Sequence, residues 1–269
     1  MLESLDDYLD AAKAAARKAG RILVEMLHTA AVKEKSPKDL VTDADVAAQS
    51  VIYEYLMSRF PTHRFLGEES DGHGAKIVLD QLPPDTWCWV VDPIDGTANY
   101  VHRLPNFAIS IALVRANQSH VGVVYDPMAD EMFSAIFHRG AWLNDLPIHA
   151  SSCVSLDQAL IAASFPPNVQ RNSMEVSQFI EVLVQAQSVR RLGSAALNLC
   201  FVGCGRLDGY WAGRVQSWDI AAGALVATEA KASLTARDGT PFLLTKGDLT
   251  VASTPALHQA LCRCLALPN

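Results

Sequence analysis

The chain has 269 residues, half of them hydrophobic, with 22 Lys and Arg against 29 Asp and Glu for a net charge of −7. That length suits one large domain or two tightly joined ones with a sizeable core, and the acidic balance argues against a nucleic-acid-binding surface. No run of about 18 apolar residues is present, so no membrane-spanning helix is expected, and the opening Met1-Leu-Glu-Ser-Leu-Asp-Asp-Tyr8 lacks the pattern of a secretory leader.

Residues 5–28 are rich in Ala, Leu, Lys, Arg and Glu with a helical apolar period, and predict a long amphipathic helix. A short extended piece, Ala31–Lys35, leads into a Ser36-Pro37-Lys38 turn. Thr42, followed three residues later by Asp45, has the spacing of a helix cap and predicts a helix running to about Phe60, supported by Val46, Ile52 and Leu56. Arg64-Phe-Leu-Gly67 reads as a short strand that breaks into Glu68 and Glu69. Residues 71–86, with Gly72, Gly74, Pro83 and Pro84, read as a surface excursion.

The excursion feeds Trp87-Cys-Trp-Val-Val91, a buried strand by its β-branched and aromatic content. Asp92 stands at its end, Pro93 is expected to stop the ladder, and Asp95 follows three residues after Asp92, so a tight turn aims both carboxylates at one point. Gly96 and Thr97 open a short helix over 97–103, whose first N–H groups favour an anion. Two acids beside an anion-binding turn would repel a phosphate unless divalent cations lie between them, and hard oxygen ligands suit Mg²⁺. A solvated Asp-Pro-x-Asp-Gly turn is the plainer alternative.

Phe107–Val114, Val121–Tyr125 and Met132–Phe137 are spaced like neighbouring strands of an antiparallel sheet. The pattern changes around Ser151–Ser155, which divides the chain into 1–150 and 151–269. The second part alternates: strand 160–164, helix 173–187, strand 188–191, helix 194–204, strand 208–211, helix 219–229, strands 232–236 and 249–252, helix 255–265. Together they predict a mixed α+β and α/β fold whose second part is a layered α/β unit. Trp218-Asp219 reads as an aromatic followed by the N-cap of the helix it opens. The six cysteines, Cys88, Cys153, Cys200, Cys204, Cys262 and Cys264, include no C-x-x-C pair and read as reduced thiols of a cytoplasmic protein.

Four blocks, Asp39-Leu-Val-Thr-x-x-Asp45, Gly67-Glu-Glu-Ser70, Asp92-Pro-Ile-Asp-Gly-Thr97 and Trp218-Asp219-Ile-Ala-Ala-Gly223, resemble the inositol monophosphatase family in order and spacing over essentially the whole chain. These are Mg²⁺-dependent, Li⁺-sensitive phosphomonoesterases related to fructose-1,6-bisphosphatase. The resemblance implies a layered αβαβα sandwich of the sugar-phosphatase type. It implies that Glu68, Asp92, Asp95, Asp219 and the carbonyl of Ile94 hold roughly two to three Mg²⁺ ions. Asp45 and Thr97, with Glu68, are implied to orient and deprotonate the attacking water, and the N–H groups of Gly96 and Thr97 to cradle the phosphate. Gly193, Ser194, Ala195 and Asp219 are implied substrate contacts; Glu69, Lys35 and Arg214 lie around them. Family members are commonly homodimers acting on small phosphorylated metabolites.

One departure concerns the substrate end. Where typical members carry a glutamate, this chain has Ala212, with Arg214 two residues on. Arg214 either faces a second anionic group of a bisphosphate or nucleotide, or is a solvated loop arginine. Inositol 1-phosphate is therefore the first expected substrate. Fructose 1,6-bisphosphate, histidinol phosphate, 3′-phosphoadenosine 5′-phosphate and NADP(H) are alternatives within the same chemistry. A regulatory binding protein on the same fold, or a metalloprotein unrelated to phosphate, are alternatives outside it.

Overall fold

The computed structural model describes residues 4–69, 77–166 and 168–266. The N-terminal helix α1 (Leu5–Met26) opens on a capping box in which the Asp7 N–H donates to Ser4 Oγ at 3.2 Å and the Ser4 N–H donates to Asp7 Oδ2 at 2.8 Å. Its inner face is Ala11, Ala12, Ala15, Ala16, Ala19 and Leu23, small residues that let the helix lie close to the sheet beneath. Then come β1 (Val32–Ser36) and β2 (Asp39–Thr42), an antiparallel hairpin standing apart from the two larger sheets. The sequence showed the first arm of this hairpin and missed the second. Helix α2 (Asp43–Arg59) starts on the expected Thr42 cap.

A seven-stranded sheet follows: β3 (Arg64–Gly67), β4 (Cys88–Asp95), β5 (Ala108–Arg115), β6 (Gln118–Asp126), β7 (Glu131–Ile136), β8 (Gly140–Leu143) and β9 (Leu146–Pro147), in spatial order as in sequence. Only β3 and β4 run parallel; the remaining neighbours are antiparallel hairpins. Helix α3 (Thr97–Val101) interrupts between β4 and β5. A single 3₁₀ turn at Leu79–Gln81 lies in the excursion before β4; Gly72 and Gly74 fall outside the described residues.

Strand β4 does not stop at Pro93. It pairs with β5 at Asp92↔Ser110 and again at Asp95↔Ala108, so three steps on one strand oppose two on the other. The bulge absorbs the extra residue and leaves the missing N–H of Pro93 without consequence for the ladder.

The second sheet, in order β11-β10-β12-β14-β13, has five strands. They are β10 (Leu160–Ser164), β11 (Ser188–Arg190), β12 (Gly209–Ala212), β13 (Ser233–Thr235) and β14 (Leu249–Ala252), with β14 antiparallel to both neighbours. Between them the chain forms α4 (Met174–Gln185), α5 (Ala195–Gly203) and α6 (Ser217–Glu229), and it ends on α7 (Pro255–Leu265).

The layers are α1 and α2, the seven-stranded sheet, α5 and α6, the five-stranded sheet, then α4 and α7. This is the expected αβαβα sandwich. The middle helices are buried on nearly every face: Ala196, Leu197, Leu199, Cys200 and Val202 of α5 and Ile220 to Val226 of α6 join Val90, Ala112 and Val124 of one sheet and Tyr210, Ala212 and Val251 of the other in one core. The approach of α6 to the first sheet is set at Gly122, where a Cβ would lie 2.8 Å from the Ala222 carbonyl oxygen. All six cysteines are free thiols. Among the described residues no helix is long and apolar enough to cross a membrane.

Candidate active site

The acids singled out by the sequence meet where β3 and β4 end and α6 begins. Parallel pairing of Gly67 with Val91 sets Glu68 beside Asp92, and the Glu68 N–H extends the ladder to the Val91 carbonyl at 3.1 Å. Ser110, opposite Asp92 on β5, donates its hydroxyl to the Trp218 carbonyl at 3.0 Å and so pins the first turn of α6 to this point. Asp92 thereby lies close enough to Glu68 and Asp219 for their charges to act on its ionisation. Its own Oδ1 accepts the Ile94 N–H at 2.9 Å across the bulge.

Each remaining acid is fixed by a helix start. Asp45 is the third residue of α2 and completes a capping box: its Oδ2 accepts the Thr42 N–H and the Thr42 hydroxyl, both at 2.7 Å. Asp219 is likewise the third residue of α6, not its cap; Gln216 is the cap, and its N–H donates to Asp219 Oδ2 at 2.8 Å. The helix begins two residues earlier than the sequence suggested because the carboxylate reaches back over the turn. Asp95 receives the start of α5: Ser194 Oγ donates to its Oδ2, as does the Ala196 N–H at 2.7 Å, while the Ala195 N–H reaches Oδ1 at 3.2 Å. The Thr97 hydroxyl lies between the Ile94 carbonyl at 3.0 Å and Asp45 Oδ1 at 3.5 Å.

Burial dominates the ionisation of this group. It drives Asp92 well above the ordinary carboxylate range, with the charges of Glu68, Asp95 and Asp219 adding to it. Burial raises Asp219 to about 8, reinforced by Asp95. It raises Asp45 to about 7 and Asp95 to about 6, against the hydrogen bonds from Thr42 and from the start of α5 respectively. The one cation in contact is Lys35 of β1, whose Nζ lies 3.0 Å from Glu68 Oε1 and 2.5 Å from Glu69 Oε1. Burial alone would lower its ammonium; the Glu69 and Glu68 carboxylates outweigh that and hold it above the usual lysine range.

Among the described residues the acids are not gathered three to one point as they stand. Their chemistry still fits divalent cations. They supply only oxygen donors, they sit in a buried cleft, and one lysine balances too little charge to keep them ionised together.

Several residues that serve this site were not evident in the sequence. Gln49, one turn beyond Asp45 on α2, donates to the Glu69 carbonyl at 2.8 Å and accepts the Glu69 N–H at 2.9 Å, which fixes the two glutamates. A buried polar pair at i and i+4 on an otherwise apolar helix face was the available signal. Asn99 of α3 donates one amide to two carbonyls, Asn106 at 2.7 Å and Leu192 at 2.8 Å, and Asn106 adds a second donor to Leu192 at 3.0 Å. The Asn99 amide fills the space beside Gly193, where φ is +92° and a Cβ would lie 2.7 Å from Nδ2. Segments 95–99 and 192–196 are thus joined at both ends, through Asp95 and through Asn99. Arg214 lies apart from the acids; its exposed guanidinium is 3.7 Å from the buried Glu175 of α4.

The chain matches the model of the inositol monophosphatase family over residues 4–266. It is 37% identical over 268 residues to inositol monophosphatase 1 of Solanum lycopersicum, covering 98% of this chain and 96% of that protein. It is 35% identical to the Nus factor SuhB of Pseudomonas aeruginosa over 94% of each chain. The crystal structure of the extragenic suppressor protein suhB from Bartonella henselae superposes with a TM-score of 0.89 at 33% identity, covering 97% of this chain and 99% of that one.

Two predictions follow from this geometry. Asp45, Asp92, Asp95 and Asp219 all hold protons in the fold at pH values where the unfolded chain, with carboxylates near 3.8, has lost them. The native state therefore binds more protons, and the stability of the metal-free chain falls as pH rises from about 4 to about 8. Saturating Mg²⁺ flattens or reverses the trend, because the ionised form is the ligand. Thermal unfolding in a chelator and in Mg²⁺ across that range reads this directly; a metal-free midpoint that rises with pH refutes it. Removing the Asn99 amide in Asn99→Ala frees the 192–196 loop and lowers kcat by about 10- to 100-fold, while the far-ultraviolet circular dichroism stays unchanged. Full activity in that variant would show that the Asp95 contacts alone hold the loop.

Proposed function

The chain belongs to the inositol monophosphatase family and is a phosphomonoesterase hydrolase, and within that family we propose that it hydrolyses a small polyol phosphate, inositol 1-phosphate first, with Mg²⁺. The observation that carries this is the Thr97 hydroxyl held between the Ile94 carbonyl and the Asp45 carboxylate, directly after the bulge that joins Asp92 to Asp95. Glu68, Asp92, Asp95, Asp219 and the Ile94 carbonyl would hold roughly two to three Mg²⁺ ions, which supply positive potential for a phosphate dianion and lower the pKa of bound water.

The protein's own groups do the rest. Asp45 fixes the Thr97 hydroxyl and accepts the proton of the attacking water through it; Glu68 orients the same water. The N–H groups of Gly96 and Thr97 cradle the phosphate in line with that attack. Gly193, Ser194 and Ala195 meet the polyol, held in register with the phosphate turn by Asn99. Asp219 faces the leaving oxygen. Glu69 and Lys35 steady Glu68 from behind.

The absent acid at Ala212 supports a second reading, a doubly anionic ester such as a bisphosphate or nucleotide. Arg214 is placed toward Glu175, so its charge is already shared, and the monophosphate stands first. A binding role without turnover leaves the pair Asp45 and Thr97 without a purpose. Free cysteines support a reducing, cytoplasmic setting. We also assign homodimerisation to the outer face of α4, where Ile180, Leu183 and Val184 form an exposed apolar stripe at helical spacing.

Phosphate release with Mg²⁺ would be measured on inositol 1-phosphate, glycerol 2-phosphate, fructose 1,6-bisphosphate, histidinol phosphate, 3′-phosphoadenosine 5′-phosphate and NADP, with Asp95→Asn as blank. Highest turnover on inositol 1-phosphate, lost in the blank, is expected. A preference for a doubly anionic ester moves the substrate and keeps the mechanism; no turnover on any ester ends the catalytic reading for these substrates. On a sizing column the parent elutes as a dimer and Val184→Glu as a monomer. A Val184→Glu protein that stays dimeric places the interface elsewhere.

A further inference from the structure

The outward face of α1 has a charge pattern that the site does not use. Asp10, Lys13, Ala14, Arg17, Lys18 and Arg21, with Asp145 from the turn between β8 and β9, line a groove of about 430 Å³. Four cations and two acids give it net positive charge on a chain of net charge −7. Lys13 is paired with Asp145 Oδ1 at 2.6 Å, and Lys18 lies 5.4 Å from the centre of the Tyr55 ring. Arg17 and Arg21, both exposed, have no ion pair among the described residues.

Helix stability does not account for this stripe. Lys13, Arg17 and Arg21 recur at i, i+4 and i+8, a spacing at which like charges repel. They lie in the middle turns, and the last turn of α1, where a cation would favour the dipole, has none. The alanine face opposite is locked to the sheet, so the stripe cannot rotate away from solvent.

Two exposed apolar side chains flank the lining residues along the chain: Leu146, next to Asp145, is 70% exposed, and Val24, three residues beyond Arg21, is 45% exposed. Two guanidiniums one turn apart are matched by carboxylates, which they bind through paired N–H donors. Exposed Leu146 and Val24 are matched by apolar side chains. We propose that this groove docks an acidic, amphipathic segment of a partner protein. Its size takes two or three side chains. No aromatic residue lines it to stack a base, which favours a carboxylate-bearing peptide over a nucleic acid. None of the residues that line the groove belongs to the acid cluster.

The test uses the full chain and a fluorescein-labelled peptide alternating pairs of Glu and Leu, read by anisotropy. An oligouridine of equal charge and inorganic phosphate serve as competitors. Saturable peptide binding that weakens with salt and falls at least about tenfold in Arg17→Glu/Arg21→Glu is expected. Leu146→Ser weakens the peptide further and leaves the oligonucleotide unaffected. Phosphate release and thermal midpoint stay at parent values in every variant, which excludes misfolding as the cause. Equal peptide affinity in parent and double variant, or none in either, overturns the proposal. An oligonucleotide or phosphate that binds the parent more tightly than the peptide, and is lost in the double variant, overturns the choice of a protein segment.

Discussion

Burying several carboxylates in one cleft is the constraint around which this fold is arranged. Asp92 and Asp95 are buried and Asp219 is half-buried, close enough for their charges to act on one another, and Lys35 stands against the group. In low dielectric such charges repel strongly. The fold answers with backbone dipoles. Asp45 and Asp219 are each the third residue of a capped helix, and Asp95 takes the N–H groups at the start of a third. The starts of α2, α5 and α6 therefore converge on one place, each offsetting part of a negative charge with its positive end. That arrangement fixes the side chains in place but does not overcome the burial that keeps them protonated, so a hard cation is what draws out their ionised form.

The layered architecture follows from that convergence. Helices α5 and α6 must aim their first turns at the end of β4, so they are clamped between two sheets. Ser110 ties α6 to the strand beside Asp92, and the close approach of Gly122 to the Ala222 carbonyl lets α6 settle onto the sheet at the depth this needs. The acids come from residues 45 to 219, and only a core shared by both sheets keeps such distant segments in fixed relation.

Much of this was legible in the residues. Asp92-Pro-Ile-Asp-Gly-Thr97 carries its chemistry in a local pattern, and Thr42 with Asp45 carries a cap in a fixed spacing, so each could be read from a few positions. The parts that were missed depend on partners far along the chain. The Pro93 ladder resumes because Ala108, not any neighbour of Pro93, offers a bulged register. Gln49 acts on a segment 20 residues away and Asn99 on one 93 residues away. A polar side chain on a buried helix face signals some partner, but its identity is a tertiary fact. The start of α6 was placed two residues late for a related reason: an acid at the third position and an acid at the cap look alike until the direction of its hydrogen bond is known.

The joining of segments 95–99 and 192–196 also bears on selectivity. Asp95 and Asn99 close the two segments into a ring, so the turn after β4 and the loop before α5 are held together at two points. A substitution inside this ring would disturb Asp95 itself, whereas the end of β12 and the residues after it lie outside the ring. There Ala212 is small and buried beside Ser164, and the Arg214 guanidinium lies 3.7 Å from Glu175. Beside Ala212 the Ser164 hydroxyl accepts from the Tyr210 hydroxyl at 2.9 Å and is a neutral polar group at that end. A neutral hydroxyl pairs with neutral hydrogen-bonding groups and supplies no charge to offset a second anion, so the chemistry of this wall is set by Ser164 and Tyr210 and not by an ion pair.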